Sequence, residues 1–418
     1  MDSTTANAKQ IAKRYLPRWA IIFAKKIITP IKFASDRYDV ITAQNHCLKS
    51  GEAYKTIDSN RRTTAIAPHF YNFPVPAQQK AVSMPDTYWA TIKQASVIGG
   101  SNIVLTKQDA IYNAPIGSNI NYSDNALYIY HDSTYPYQIG PNTRIYWKRR
   151  PVRRRLDQGI SLICNYSFNY YHFVLECLPK LHLIEQQTIP PETPILVDAC
   201  VTHTPSFRTY LDVLMTIKRP IIYVGPRERI DVDTLYLPSA VNVIIPNMIS
   251  LALCSPSDNL FDMQSIRNIR EKMLLYSQSH LSNRTFASRI FISRKNHPHR
   301  SYNEPGIWQV LQKHGFERVM PETLSLAEQI QTFAHADWII AASGAALTNI
   351  LYCHPGCRVL VLTSLQINLS IFSSIADALD IRMIYLTGEA TMQQDLHTGF
   401  QIDPGMIESC LDLANQNK

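Results

Sequence analysis

A chain of 418 residues, 45% hydrophobic and 18% charged, is too long for one ordinary domain and suits two. Apolar residues recur along its whole length, which argues against global disorder. The formal net charge of +8 favours anionic partners: nucleotide phosphates, acidic polymers or an anionic membrane surface. Nucleic acid is not the expected partner, because neither zinc-finger spacing nor an RNP-like aromatic motif is present. Eight cysteines, at 47, 164, 177, 200, 254, 353, 357 and 410, form no secreted-type framework and read as thiols of a reducing cytosol.

Residues 1–60 are basic, then polar, without a clear core pattern. The opening residues do not read as a secretory signal. The apolar run Trp19–Phe23 is short and soon meets Lys25 and Lys26, where a spanning helix needs about 20 apolar residues. From Lys9 to Lys32, basic residues mix with Trp19, Ile21, Ile22, Phe23, Ile27 and Ile28. Two readings are open: peripheral contact with an anionic membrane, on the inner face of the cell, or an ordinary helix packed on the protein body. Residues 84–147 read as β-rich, with the short apolar runs Ser96–Gly100, Asn102–Thr106 and Ala126–Tyr130 punctuated by turn residues. Lys148–Arg155 is the densest charge cluster and reads as a solvated loop, with contact to phosphates as the alternative.

Between 160 and 245 the pattern predicts strands at Thr193–Val197, Pro220–Val224 and Thr234–Pro238, and helices at Asn169–Gln187 and Phe207–Ile217. Pro179 should kink the first helix. Asp231-Val232-Asp233 has the form of a metal-binding Asp-x-Asp, but it reads as a turn, and no required metal is expected. A long helix at Leu260–His280 is placed to bridge two domains. After residue 285 the rhythm is clearest. Strands are predicted at Arg289–Ser293, Phe316–Met320, Trp338–Ala342, Arg358–Leu362 and Arg382–Leu386. They alternate with helices at Glu304–His314, Ser325–Ala336, Ala345–Cys353 and Leu369–Leu379, and a terminal helix spans 404–418. Gly315 supplies a stop signal, and Ser325 with Glu328 a capping box. Such alternation predicts an open parallel α/β sheet.

Ligands of such sheets bind outside the carboxyl ends of the strands. One strand end runs Ser343-Gly344-Ala345-Ala346-Leu347-Thr348-Asn349, where small residues and a helix start suit an anion. Another runs Ser293-Arg294-Lys295, then Arg300, Asn303 and Glu304, where basic side chains suit phosphate oxygens. Alone, the first reads better as a tight packing turn and the second is compatible with a solvated loop; two anion-friendly strand ends in one sheet strengthen the binding reading. In the first half, His172 and Glu176 stand four apart on a predicted helix, so the carboxylate can orient the imidazole as a general base. Cys353, His354 and Cys357 read as a turn flanked by buried thiols.

Four stretches in order resemble glycosyltransferase family 61, in its bacterial, capsular polysaccharide biosynthesis branch. They are Asn169–Lys180, Ile292–Glu304, Phe316–Gln329 and Gly344–Gly356, and the resemblance extends over roughly 84–365. It implies a GT-B-like architecture of two α/β domains with open parallel sheets, preceded by a β-rich region. The division expected is a basic segment at 1–60, an acceptor-side domain at 61–280, and a nucleotide-sugar-binding domain with a terminal helix at 281–418. It further implies an inverting, metal-independent transfer from a nucleotide-sugar donor, UDP-linked, to a glycan or lipid-linked glycan acceptor. No cofactor is implied. His172 and Glu176 are the implied catalytic pair. Arg294, Lys295, Arg300, Glu328, Ser343, Gly344, Ala345, Thr348 and Asn349 are the implied donor-binding set. The chain departs from the family's His-Gly-Ala-Gly-Leu-Thr-Asn by carrying Ser343 and Ala346. A weakly active or inactive binding subunit of a polysaccharide assembly is therefore the second expectation. A kinase-like phosphotransferase ranks last, because no acidic ligand pair for Mg²⁺ is legible.

Overall fold

The computed structural model describes residues 35–73, 79–113, 130–132, 135–139, 144–148, 151–244, 255–280, 284–294, 301–364, 369–390 and 399–416. The basic stretch Lys9–Lys32, Lys295, Arg300, Cys254, most of the run Ala126–Tyr130 and part of the cluster Lys148–Arg155 lie outside the described residues.

Two large sheets organise the chain. The first follows the order Arg144–Lys148, Ser35–Ile41, Asp109–Tyr112, Ile103–Leu105, Thr87–Ile98, Arg229–Pro238, Arg154–Ser161, Ile195–Asp198, Ile221–Val224, with Tyr54–Asp58 also paired to Thr87–Ile98. Residues 35–41 and 54–58, which carry no clear core pattern in sequence, are thus strands, and Tyr38 and Val40 are buried. The sheet is mixed: parallel among the α/β segments on one side and mostly antiparallel through the β-rich region on the other, where Ser35–Ile41 and Asp109–Tyr112 still pair in parallel. Arg229–Pro238, Arg154–Ser161, Ile195–Asp198 and Ile221–Val224 run parallel. Ile195–Asp198 is buried throughout, as a strand covered on both faces must be. Beyond Arg229–Pro238 the pairing with Thr87–Ile98 is antiparallel, as are the next two ladders. The connection from Ile98 to Ile103 is too short for a crossover, so that pair can only be antiparallel. At this turn Gly99 lets the Gly225 backbone come close: a Cβ there would sit 2.0 Å from the Gly225 carbonyl oxygen. Asp231-Val232-Asp233 is not a turn but lies within Arg229–Pro238.

The second sheet is parallel throughout, in the order Glu317–Val319, Arg289–Ile292, Trp338–Ala342, Arg358–Thr363, Arg382–Thr387. Its helices arise where the pattern places them. Glu304–Lys313 ends before Gly315, whose φ of +74° needs no Cβ penalty. Leu326–Ala334 opens on the Ser325–Glu328 capping box. Two elements differ from expectation. Ala345–Tyr352 is a 3₁₀ rather than an α-helix, and only Ser373–Ala378 of Leu369–Leu379 is helical.

The chain's second linear half does not stand apart from the first. One apolar cluster runs from Leu162, Phe173 and Phe207 to Ile290, Ile330 and Leu347. The helix Met263–Ser279 is capped by Asp262, whose carboxylate accepts from the Ser265 amide at 2.7 Å. It buries Ile266, Ile269 and Met273 and packs against Pro205–Leu214 from the first half and Leu326–Ala334 from the second. A second tie comes from residues 66–72. The Tyr71 amide donates to the Tyr385 carbonyl and the Tyr385 amide to the His69 carbonyl, each at 2.8 Å. Asn72 Nδ2 donates to the Thr387 carbonyl at 2.9 Å. This segment therefore covers the outer strand of the second sheet.

Asp198, at the end of its buried strand, accepts from the Gly100 amide at 2.6 Å and the Cys164 amide at 3.2 Å. Burial pushes its carboxyl up to about 6, against the opposing pull of those amides, the Ser167 hydroxyl and Lys180. A raised folded value stabilises the protonated fold. The contribution is complete below the unfolded value of about 3.9 and is lost as pH rises through about 6. The melting temperature of wild type minus that of Asp198→Asn should therefore fall between pH 4 and pH 7. A difference that stays constant over that range would contradict the assignment.

Candidate functional site

The order of the second sheet reverses between Arg289–Ile292 and Trp338–Ala342, whose crossovers leave in opposite directions. This switch point is where an open α/β sheet leaves a crevice at its carboxyl edge. Both anion-friendly strand ends read from the sequence end there, side by side. Arg294 follows the first strand and Ser343-Gly344 the second. Arg294 Nη1 donates to the Ser343 carbonyl at 2.9 Å. A Cβ on Gly344 would lie 2.5 Å from that nitrogen, so a larger residue there would displace the guanidinium from this position. Burial pushes the Arg294 value down, yet a guanidinium remains charged in proteins.

Glu304 fixes the approach to Arg294. Its carboxylate accepts from the Ser293 hydroxyl at 2.5 Å, the Arg294 amide at 2.9 Å and the Arg318 guanidinium. Burial alone would raise its value; the Ser293 hydroxyl, the Arg294 amide and Arg318 outweigh it and hold the carboxyl below its usual range. The role of Glu304 is not legible in the sequence, since nothing in a linear string shows which amide a carboxylate will meet. Glu328 stands at the carboxyl side of the neighbouring strand Glu317–Val319. It accepts from the Ser325 amide at 2.9 Å and the Ser325 hydroxyl at 2.8 Å to close the helix cap.

Beyond Gly344 the 3₁₀ turn keeps Ala345 and Ala346 half-buried and turns Thr348 and Asn349 fully inward. A 3₁₀-helix aligns positions three apart, so Asn349 and Tyr352 share one edge. That edge meets the first half. The Tyr170 hydroxyl donates to Asn349 Oδ1 at 2.6 Å. The Tyr170 and Tyr210 hydroxyls are 2.7 Å apart, and those of Tyr210 and Tyr352 2.6 Å. An amide oxygen can only accept, so the chain has one polarity: Tyr352 to Tyr210 to Tyr170 to Asn349. Burial pushes all three phenols above their ordinary value, and they stay neutral. Asn349, a candidate donor-binding residue, has its side-chain oxygen engaged across the junction. Thr348 Oγ1 has no hydrogen-bond partner among the described residues.

Tyr170 opens the helical segment that carries His172 and Glu176. Asn169 caps it, its side-chain oxygen accepting from the Tyr171 amide at 3.0 Å. Tyr170–His172 is followed by a π-helical turn, Phe173–Cys177, and a separate helix, Lys180–Glu185. Pro179 has no N–H for the Leu175 carbonyl; Asn242 Nδ2 donates to it at 2.7 Å instead. The kink foreseen at Pro179 thus becomes a wide turn, a feature frequent at functional sites. Within it, His172 Nδ1 and Glu176 Oε2 are 2.8 Å apart, both partly exposed. With Glu176 as a carboxylate, Nδ1 carries the hydrogen and the Nε2 lone pair is free for a proton.

The Asp-x-Asp carboxylates meet cations of the protein. Asp231 accepts from Arg229 Nε at 3.1 Å and the Ser96 hydroxyl at 2.6 Å, and Asp233 lies 3.7 Å from Arg155. Among the described residues, no group of three or more His, Cys, Asp or Glu side chains is arranged to hold a metal ion. Cys353 and Cys357 are free and buried.

The hydroxyl chain yields a measurable stability. Tyr210→Phe removes one bond to each neighbour and leaves the Tyr352 hydroxyl buried without its acceptor. A loss of about 1–3 kcal/mol in urea unfolding is expected. A loss below about 0.3 kcal/mol would show the chain to be energetically idle.

These residues are also where the chain is similar to known proteins. No curated protein matches it. The family model Glycosyltransferase 61 matches residues 170–360, a little under half of the chain. The match starts at Tyr170 and includes His172, Glu176, Arg294, Glu304 and Ser343–Asn349. It is shorter than the 84–365 suggested by resemblance, leaving out most of the first sheet. The match supports a glycosyltransferase of family 61.

Proposed function

We propose that the protein is an inverting, metal-independent glycosyltransferase of GT-B-like architecture. The first half would hold the acceptor and residues 281–418 the nucleotide-sugar donor. The observation that carries this reading is the meeting of Arg294 with Ser343-Gly344 at the switch point of the parallel sheet. A fixed cation beside glycine backbone offers a diphosphate both charge and close approach. It stabilises the leaving group without reorganising at the moment of transfer. Lys295 and Arg300, close to Arg294 in sequence, would contribute further positive charge. The donor is a UDP-linked sugar, and the acceptor a glycan or lipid-linked glycan of surface or capsular polysaccharide synthesis. The site of action is the cytoplasmic face, with peripheral membrane contact through the basic N-terminal segment.

In this reading His172 Nε2 takes the proton of the acceptor hydroxyl as that oxygen attacks the anomeric carbon from the face opposite the diphosphate. Inversion follows from that single displacement. Glu176, holding Nδ1 at 2.8 Å, orients the ring and stabilises the imidazolium that forms. The carboxylate is a positioning group, and the imidazole the base.

A second reading rests on Ser343. Its carbonyl accepts from Arg294, but its side chain brings no cationic imidazole to the turn. A binding subunit with little turnover would result if that charge is essential. Calorimetry and turnover separate the two. With UDP-sugars as donor probes, His172→Ala should lower turnover by about 10²–10⁴-fold while leaving nucleotide affinity within about twofold. Arg294→Ala should weaken UDP binding by at least tenfold. Full turnover in His172→Ala would sink the base assignment. UDP binding by wild type without turnover on any acceptor would favour the second reading, and no binding of any nucleoside diphosphate would sink both.

A further inference from the structure

The loop of residues 165–169 joins the carboxyl end of the strand Arg154–Ser161 to the helix that bears His172. It is held by its buried members. The Asn165 amide donates to Asn102 Oδ1 at 3.1 Å, the Asn169 amide donates to the Tyr166 carbonyl at 2.9 Å, and Asn165 and Ser167 are almost fully buried. Between these anchors Tyr166 takes φ of +60°, a left-handed conformation that a bulky side chain adopts only when its surroundings impose it. Such a residue costs on the order of 1–3 kcal/mol and marks binding and catalytic sites more often than elsewhere. The strained turn places Tyr166 and Phe168 on the outside of the loop. Phe168 is 65% exposed, although it belongs to the residue types most often buried.

A lone exposed phenylalanine asks for no explanation. This one is not alone. Its ring centroid lies 6.0 Å from that of Tyr166, edge to face, and the Tyr166 ring lies 5.3 Å from the His172 imidazole. Three rings therefore run in a row from solvent to the proposed base. Their faces carry the negative lobe of the aromatic quadrupole. The complementary chemistry is an array of weakly positive C–H groups on one flat face with hydroxyls around the rim, which is the make-up of a pyranose ring. A nucleotide phosphate finds no cation on this loop; the Arg294 cation belongs to the other half.

We propose that Phe168 and Tyr166 form the acceptor platform. A terminal sugar of the acceptor glycan would lie with its C–H face on the exposed Phe168 ring and its rim against Tyr166, whose ring stands at 66° to that of Phe168, so that one rim hydroxyl reaches His172 Nε2. The proposal deepens the transferase reading and rests on it for the role of His172, but the platform itself is a carbohydrate site and can be tested by binding alone.

The test is saturation-transfer NMR on the full chain with a panel of methyl pyranosides as probes, with UDP affinity measured in parallel. Wild type should transfer saturation to the ring C–H protons of one face of at least one pyranoside. Phe168→Ala should cut that transfer at least fivefold and leave UDP affinity within twofold, whereas Phe168→Trp should retain it. Phe168 is exposed, so these substitutions spare the core. In turnover, Phe168→Ala should raise the acceptor KM by about tenfold with kcat nearly unchanged. Equal saturation transfer in wild type and Phe168→Ala, or none from any pyranoside in wild type, would overturn the platform. Pyranoside binding that depends on Phe168 in a protein that binds no nucleoside diphosphate would uphold the platform and sink the transferase reading.

Discussion

The hydrogen bond from the Tyr170 hydroxyl to the Asn349 amide oxygen is the joint on which the site's geometry depends. Tyr170 lies two residues before His172, and Asn349 lies five after Gly344. One short bond thus ties the helix that bears the proposed base to the turn that faces the proposed diphosphate. It is backed by Tyr210 from the first half and Tyr352 from the second, so the 3₁₀ turn is gripped at both ends of one edge. Buried neutral hydroxyls have few alternative partners, and the low local dielectric strengthens the bonds they do make. A junction of this kind holds a fixed separation better than apolar packing, which tolerates sliding.

The chemistry on either side of that joint is divided by charge. The second half presents a fixed cation at a strand end, with Glu304 on the backbone of Arg294 and on Arg318. The first half presents an imidazole poised by a carboxylate, with aromatic rings beyond it. Among the described residues at the site, the cation comes from one half and the imidazole from the other. The proposed reaction needs both, because the leaving group gathers negative charge while the attacking oxygen loses a proton.

Much of this was legible in the sequence, and the limits follow a physical rule. The second sheet was readable because each strand is followed by its own helix and each boundary has local chemistry, such as Gly315 or the Ser325–Glu328 box. The β-rich character of residues 84–147 is legible, but their joining to the parallel strands in one mixed sheet is not, because that pairing links residues as far apart as Trp89 and Pro238. Asp231 and Asp233 were taken for a turn; a strand tolerates polar residues wherever arginines on the sheet surface meet them. His172 and Glu176 were found together because helical spacing alone brings them together. Arg294 and Ser343 were each noticed, but only the strand order makes them neighbours. Tyr210 and Tyr352 carry no signal in the sequence: a phenol in a core pattern looks apolar until its partner, 142 positions away, is known.

The segment His69–Asn72, laid along Arg382–Thr387, bears on how the molecule can be taken apart. A fragment starting near residue 281 would keep all five parallel strands but strip this cover from the last one. The exposed backbone of a parallel edge is a template for the next copy of itself. Such a fragment would tend to self-associate unless residues 66–72 were supplied with it, as a tethered or separate peptide. The two halves are interleaved along the chain, and any dissection of donor binding from acceptor binding must be made by substitution rather than by cutting.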